Sequence, residues 1–532
     1  MTRRLAIAIG ALLIALAPGG CGGDDPPPAI APGVLADAAP ADADAYGEVV
    51  VRPSGDVLDA IDSLATDLGS ESASEEREEA LEGFLTTTAE SLGIADGIDE
   101  EEDLKPWLGS RAAGFVQIAD ETTLSESRLP GGSFGPGAFR GAAIFAVTDA
   151  EAAAESLERF FGESEDKPSG VDFKTAAGES EVALAGERLI IGDEVSVDEA
   201  LVALEGGSLA DVDWLVQGVK AAAAEDSLGF AALEGQAFTG VSLISGGPRF
   251  AERYGEELSE DVLPFDAEAP FTLGLDLDEN GLSFETGYGQ REALPLTETR
   301  ELVERLPANS WLAYADPLLS STYLGSFQFG VEIGLGGESQ AQVLRRLGYD
   351  PRESLERLSG TAALYARGEG VTALSGGLLM GVDSGPAGAF AVDAARFTVA
   401  TLLPVTIDPE PLRFGGPFGF SASFQDLPLV LFATEVKDRL GVFLGEDDLA
   451  EAFTTSESLG DSGRLDEVDA RLGEGWTALG FADLHRTFEA VALVDPSLGA
   501  AALATDVPVG TELIFGVKEE GDRVISRYVL AR

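Results

Sequence analysis

Six sequence blocks occur twice in this chain, in the same order, and that repetition limits the fold more than any other feature. "PADADAYGEVVVRP" from Pro40 is answered by "PANSWLAYADP" from Pro307, each a Pro-led turn running into a short strand pattern. "DLKPWLGSRAAGFVQ" from Asp103 lines up with "DPRESLERLSGTAALYA" from Asp350. "GAAIFAVTDAEAAAESLERFF" from Gly141 lines up with "SGGLLMGVDSGPAGAFAVDAARF" from Ser375, a strand followed by a mostly helical stretch. "GERLIIGD" from Gly186 answers to "KDRLGVFLG" from Lys437, and "SLGFAAL" from Ser227 to "WTALGFADL" from Trp476. Last come "FTLGLDLDENGLSFETGYG" from Phe271 and "ELIFGVKEEGDRVISRYVL" from Glu512, each two alternating strands around a tight turn containing Gly. The order predicts a tandem duplication, with a first repeat at residues 41–290 and a second at 305–532.

Each half reads as a strand, one or two helices, two strands, a helix and several short strands. Paired helices, a strand, a variable helical segment and a closing hairpin follow. The Ala-rich segments Ala152–Phe161 and Val197–Leu204 carry apolar residues on one side and Asp or Glu on the other, which predicts surface helices. Hairpins outnumber strand-helix-strand units. The expected class is therefore α+β: two tandem pseudo-repeats, each with a largely antiparallel sheet flanked by helices. The Ser-, Gly- and Pro-rich stretch Leu124–Phe139 reads as a mobile loop.

The N-terminus reads as an export signal. Arg3 and Arg4 precede the apolar run Leu5–Ala17, and Gly19-Gly20 then precede Cys21. The run is shorter than the roughly 20 residues a membrane-spanning helix needs. Small residues before a cysteine resemble a bacterial lipoprotein signal, which implies that residues 1–20 are removed and that Cys21 is lipidated. Pro18 stands three before the cysteine, where that pattern usually has an aliphatic residue; an ordinary cleaved signal with an incidental cysteine is the alternative. Thr2-Arg3-Arg4 matches only the start of a twin-arginine signal. Residues 21–40, rich in Pro, Ala and Asp, read as a flexible tether.

Charge narrows the partners. The chain has 94 acidic and 34 basic residues, a net charge of −60, and 45% hydrophobic residues to build a core. Such a negative surface repels phosphate backbones and anionic head groups, so no nucleic acid partner is expected. Cys21 is the only cysteine, so no disulfide forms within the chain and stability rests on packing.

The lipoprotein-like start, the "PADADAYGEVVVRPSG" opening, "KPWLGSRAA", and "GERLIIGD" followed by "EGGSLAD" together resemble an uncharacterised family of actinobacterial envelope lipoproteins bearing domain of unknown function 3352. The resemblance covers most of the chain beyond Pro40. It implies a secreted or lipid-anchored envelope protein, and it brings no activity that transfers residue by residue.

Fragments that mimic catalytic motifs fail on context. "GGSFG" at Gly131–Gly135 has the form of a nucleophile elbow, yet Pro136-Gly137 follows where a helix must start. "GDSG" at Gly460–Gly463 is similar to a serine-protease motif, but the sole histidine, His485, comes after Ser462 rather than before it. His485 reads as a surface or helix-start residue. "DLDENG" at Asp276–Gly281 has three EF-hand oxygen positions, but Gly287 occupies the twelfth place, and a hairpin turn at Asn280-Gly281 explains it better. "GLGGES" from Gly334 has Ser339 as the third member of a dinucleotide fingerprint, and no lysine follows a glycine as a phosphate loop requires.

The sequence therefore assigns no catalytic, cofactor-binding or metal residue, and Cys21 alone as a lipidation site. The expected function is a lipid-anchored extracytoplasmic module on the outer face of the cytoplasmic membrane, binding an envelope lipid, glycan or protein without catalysis. The alternative is a carboxylate-dependent hydrolase acting on envelope polymers.

Overall fold

The computed structural model describes residues 31–53, 55–67, 104–119, 139–161, 165–167, 170–174, 181–222, 227–235, 265–266, 269–278, 281–290, 294–317, 358–368, 374–382, 405–407, 419–424, 430–436, 439–445, 457–494 and 507–531. The chain divides into two compact units: residues 1–291 with 520–525, and residues 292–519 with 526–532. Both are strand-rich α+β units built on antiparallel sheet.

The first unit has eleven described strands: β1 (Ala45–Val50), β2 (Leu108–Ile118), β3 (Phe139–Val147), β4 (Glu165–Lys167), β5 (Gly170–Lys174), β6 (Glu181–Ala185), β7 (Arg188–Gly192), β8 (Gly229–Leu233), β9 (Phe265–Asp266), β10 (Phe271–Asp278) and β11 (Gly281–Gln290). They lie in the order β4-β5-β6-β7-β3-β2-β1-β8-β10-β11-β9, every neighbour antiparallel. Its helices are α1 (Gly55–Asp67), α2 (Ala150–Phe161), α3 (Glu194–Glu205) and α4 (Asp213–Ala222), with 3-10 turns at Val34–Ala38 and Leu209–Asp211. Asp149 starts α2 by accepting from the Ala152 amide at 3.0 Å, and Asp193 starts α3 by accepting from Ser196 at 3.1 Å.

Alternation along the strands builds two cores, one on each face of this sheet. Tyr46, Ala113, Phe115, Ile144, Ala183, Ile190 and Phe230 point to one face. There they meet Leu35 of the first 3-10 turn, Val197, Ala200 and Leu201 of α3, and Leu215 of α4. The intervening residues Val49, Ala112, Phe145, Val182, Leu189 and Ile191 point to the other, against Trp107 and against Ala153 and Leu157 of α2. Alanine is frequent on the first face, and small side chains let the helices lie close to the strands. At Gly218 of α4 an added Cβ would come within 2.7 Å of the Ala232 methyl group of β8.

The second unit contains β12 (Leu312–Asp316), β13 (Leu358–Arg367), β14 (Ser375–Val382), β15 (Val405–Ile407), β16 (Phe420–Phe424), β17 (Val430–Val436), β18 (Arg439–Leu444), β19 (Thr477–Asp483), β20 (Glu512–Glu520) and β21 (Arg523–Ala531). The order is β15-β16-β17-β18-β14-β13-β12-β19-β20, again antiparallel throughout. β21 pairs with β20 as the closing hairpin through a turn containing Gly521 at φ 65°, and residues 520–525 of this hairpin count with the first unit. Helices α5 (Leu296–Glu304), α6 (Leu459–Ser462), α7 (Arg464–Leu472) and α8 (Leu484–Val494) complete the unit. Leu302, Val303, Leu459, Leu465, Val468 and Leu472 cover Ala313, Ala363, Tyr365, Phe481 and Ile514.

Two expected boundaries are corrected. The tether expected over residues 21–40 does not reach residue 40, because Leu35, Ala36, Ala38 and Ala39 are completely buried. An alanine-rich composition suits both a solvated tether and a close-packed turn, and here packing decides. Residues 291–304, left between the two expected repeats, include α5, whose Leu302 and Val303 belong to the core of the second unit. Cys21, the signal segment 1–20, "GGSFG" and "GLGGES" lie outside the described residues, as does the Leu124–Phe139 stretch apart from Phe139. Among the described residues no helix is long and apolar enough to cross a membrane.

The close approach of α4 and β8 gives a test. Gly218→Val forces the helix off the strand, and denaturant unfolding is expected to show a loss of about 1–3 kcal/mol.

Candidate functional site

Charge gathers along β1 in the first unit. Tyr46 and Glu48 share a face, and both point under the 3-10 turn at Val34–Ala38. The Glu48 side chain has no exposed surface. Its Oε2 accepts from the Gly33 amide at 2.9 Å and its Oε1 from the Leu35 amide at 3.1 Å; the Tyr46 hydroxyl also donates to Oε1. Glu48 therefore fastens the incoming chain, two residues of which would otherwise bury amides without partners.

Arg111 reaches the same place from β2. It stands opposite Val50, one diagonal step from Glu48. Its Nη1 lies 3.8 Å from Glu48 Oε2, and its Nη2 donates to the Ser227 carbonyl at 3.0 Å. Burial holds the Glu48 carboxyl above its ordinary pKa, although the Tyr46 hydroxyl, the two amides and Arg111 all act to lower it. Burial likewise depresses Arg111 and, with Glu48 beside it, pushes the Tyr46 hydroxyl well up. All three groups lie inside the fold, where they tie the incoming chain to β1 and β2.

A second group of carboxyls gathers where β1 begins. Asp44 Oδ2 accepts from the Ile118 amide at 2.6 Å, and the Asp44 carbonyl accepts from the Glu234 amide at 2.8 Å. Asp42 Oδ1 accepts from Gln117 Nε2 at 3.1 Å. Burial raises the pKa of Asp44, with a further push from the Asp42 charge. Burial and the nearby Asp44 charge raise that of Glu234. Two neighbouring carboxyls that hold protons more tightly than usual are suited to donating them. Among the described residues, no group of three His, Cys, Asp or Glu side chains is placed to hold a metal ion.

An open cleft of about 360 Å³ lies between residues 40–42, ahead of β1, and α3; of these carboxyls only Asp42 lines it. Pro40, Ala41 and Val202 supply apolar surface, while Asp42, Asp198 and Glu199 make its wall acidic.

The fragments weighed from the sequence take structural places. His485 is the second residue of α8; its Nδ1 lies 3.1 Å from the Val507 carbonyl and its Nε2 3.7 Å from Glu489. Ser462 closes α6 and donates to the Leu459 carbonyl at 2.8 Å, while Asp461 and Ser458 cap that helix reciprocally. Within "DLDENG", Asp278 pairs with Gly281 across the β10–β11 hairpin. Residues 279–280 of that motif lie outside the described residues. The sequence reading missed Glu48 and Arg111. The one local signal was a lone glutamate inside the apolar run "YGEVVV".

No family model and no curated protein matches the chain. Among solved structures, crystal form III of TP0453 is similar over 54% of this chain and 89% of its own length, at 10% identity and a TM-score of 0.25. Crystal form I of the same protein is similar over 55% and 88%, at 10% identity and a TM-score of 0.27. Similarity at this level carries no inference about fold or function.

The raised carboxyls set the sign of a pH effect. A carboxyl whose folded pKa lies above its unfolded value stabilises the fold most below the unfolded value, and that contribution is lost as pH rises through the folded value. For Glu234 the window opens at its ordinary value of 4.5. Glu234→Gln is therefore expected to stabilise the first unit at neutral pH relative to its effect below that value. The difference should stay under about 1 kcal/mol because the side chain is only half-buried. Denaturant unfolding of the variant and the parent chain at both pH values measures it.

Proposed function

We propose that this chain is an extracytoplasmic envelope protein held to the outer face of the cytoplasmic membrane by a lipid on Cys21. Its folded body is a non-catalytic binding or scaffold module for an envelope lipid, glycan or protein. One observation carries the reading: Glu48 fastens the Gly33 and Leu35 amides inside the first core. The chain thus joins the folded body twelve positions after Cys21. A segment of that length reaches at most roughly 40 Å, so a lipid on Cys21 would hold the body close to the membrane. The residue pattern from Arg3 to Cys21 supports the anchor itself. On its motifs, the chain is proposed to belong with the actinobacterial envelope lipoproteins bearing domain of unknown function 3352.

We further propose that the two units are tandem copies of one ancestral unit. The strand orders support this: β4-β5-β6-β7-β3-β2-β1-β8-β10 in the first and β15-β16-β17-β18-β14-β13-β12-β19-β20 in the second correspond one to one. So do two isolated bridges, Pro40 with Ser208 and Pro307 with Ser458. After each bridge a leucine amide, of Leu209 or Leu459, donates to the residue before the proline at 2.8 Å.

The second reading, a carboxylate-dependent hydrolase acting on envelope polymers, is favoured by the adjoining Asp44 and Glu234 carboxyls, both raised in pKa. Under it, Asp44→Asn or Glu234→Gln would abolish release of soluble fragments from purified envelope glycan. Under the scaffold reading the parent chain releases none.

Expression with its own signal in a host that lipidates exported proteins tests the anchor. The parent chain is expected in the membrane fraction, with a diacylglyceryl mass on the peptide beginning at Cys21, and Cys21→Ser is expected to lack that mass. A parent chain with an unmodified Cys21 would sink the anchored reading.

A further inference from the structure

In the first unit, residues 33–40 are seated over a buried carboxylate. Leu35, Ala36, Ala38 and Ala39 fill the slot with apolar surface, while the Gly33 and Leu35 amides rest on Glu48. Glu48 is faced by the Tyr46 hydroxyl from its own strand and by Arg111 from β2. One layer out, Asp37 of the segment pairs with Arg188 of β7 at 3.1 Å. The segment ends at Pro40, whose bridge to Ser208 and the bond from the Leu209 amide to Ala39 mark its far edge.

We propose that residues 33–40 form a strap that seats on the first unit and lifts from it as one piece, with Glu48 as its latch. Lifting extends the reach between Cys21 and the body. Its purpose rests on the anchored reading above; its mechanics do not.

The argument lies in opposing forces at the seat. Burying the apolar side chains of the strap favours the seated state. Seating also strips water from the Glu48 carboxylate, and desolvating a charge opposes burial on a scale comparable with burying an apolar side chain. Once the strap lifts, water reaches Glu48, which keeps Tyr46 and Arg111 beside it. The second unit is built differently. There α5 lies over Ala313 and Ala315, no Asp or Glu among the described residues of that unit is buried, and Arg300 of α5 grips Asp469 of α7 at 2.8 Å from outside. The first segment is a single 3-10 turn with a desolvated charge beneath it, and the second is a nine-residue helix without one.

The latch carries a pH sign. Burial, the largest influence on Glu48, makes the seated carboxyl hold its proton more tightly than a hydrated one. Proton uptake therefore favours the seated strap, and raising the pH from 4.5, the ordinary value, through the seated value favours lifting. Lifting frees eight residues, which adds about 25 Å of reach when extended.

Hydrogen exchange of the purified full-length chain, read by mass spectrometry and corrected for the intrinsic rate at each pH, tests the strap. Peptides covering residues 33–40 are expected to open as a block, at least roughly ten-fold less protected than β1 and β2. Their protection should fall as pH rises from mildly acidic to neutral, and Glu48→Gln should remove that dependence. Leu35→Asp, which leaves Glu48 in place, should expose the block while β1, β2 and β8 stay protected. The proposal is overturned if residues 33–40 exchange only together with β1 and β2, if their protection does not depend on pH, or if Leu35→Asp unfolds the whole unit. None of these readouts needs the lipid, so the membrane-fraction experiment decides the anchor independently.

Discussion

The constraint on which the first unit depends is a sheet that must be buried on both faces without a covalent crosslink. Each central strand contributes alternate side chains to two cores, so a single strand such as β3 serves Ile144 to one and Phe145 to the other. A one-residue slip would exchange the two sets, and register is therefore specified twice over. The first face is paved with alanine, which allows α3, α4 and the 3-10 turns to lie against the strands at short range. The second face takes larger groups, with Trp107 and Leu157 filling the space under α2.

Into this packing the fold admits an acid with no exposed surface at all. Glu48 does the work that a capping side chain normally does from within its own turn, accepting two amides from a segment some fourteen residues upstream. Arg111 and the Tyr46 hydroxyl complete its surroundings, so the charge is held by a network rather than by one ion pair. The carboxyls at the start of β1 lie at the margin of the same core, where solvent still reaches them. The fully buried Glu48 on β1 thus differs from Asp44, just before that strand, and Glu234, just after β8, which stay partly exposed.

Much of the architecture was legible because it rests on local pattern. The Ala-rich periodicity marked Ala152–Phe161 and Val197–Leu204, and the helices run from Ala150 and Glu194 because Asp149 and Asp193 cap them. Alternation around Gly281 and Gly521 marked the two hairpins. Residues 33–40 were misread, since alanine and proline say nothing about whether a neighbouring slot is waiting for them. Helix α5 was passed over because its short apolar stripe, Leu302 and Val303, gains meaning only against β12 and β13. Glu48 was invisible as a site for a related reason: its partners come from three separate stretches of chain, and no spacing rule links them.

The strand order of the first sheet has a kinetic consequence. Strand β1 sits between β2 and β8, so Tyr46 faces Phe115 on one side and Ala232, 186 residues later in the chain, on the other. A polypeptide emerging N-terminus first would hold one edge of β1 open until β8 arrives, and contacts between such distant segments form slowly. During that interval the unpaired edge is a template for pairing with other chains. The surplus of acidic residues, which contributes nothing to the finished sheet register, then has a use at this stage: like charges keep half-made copies apart while they wait for their last strand.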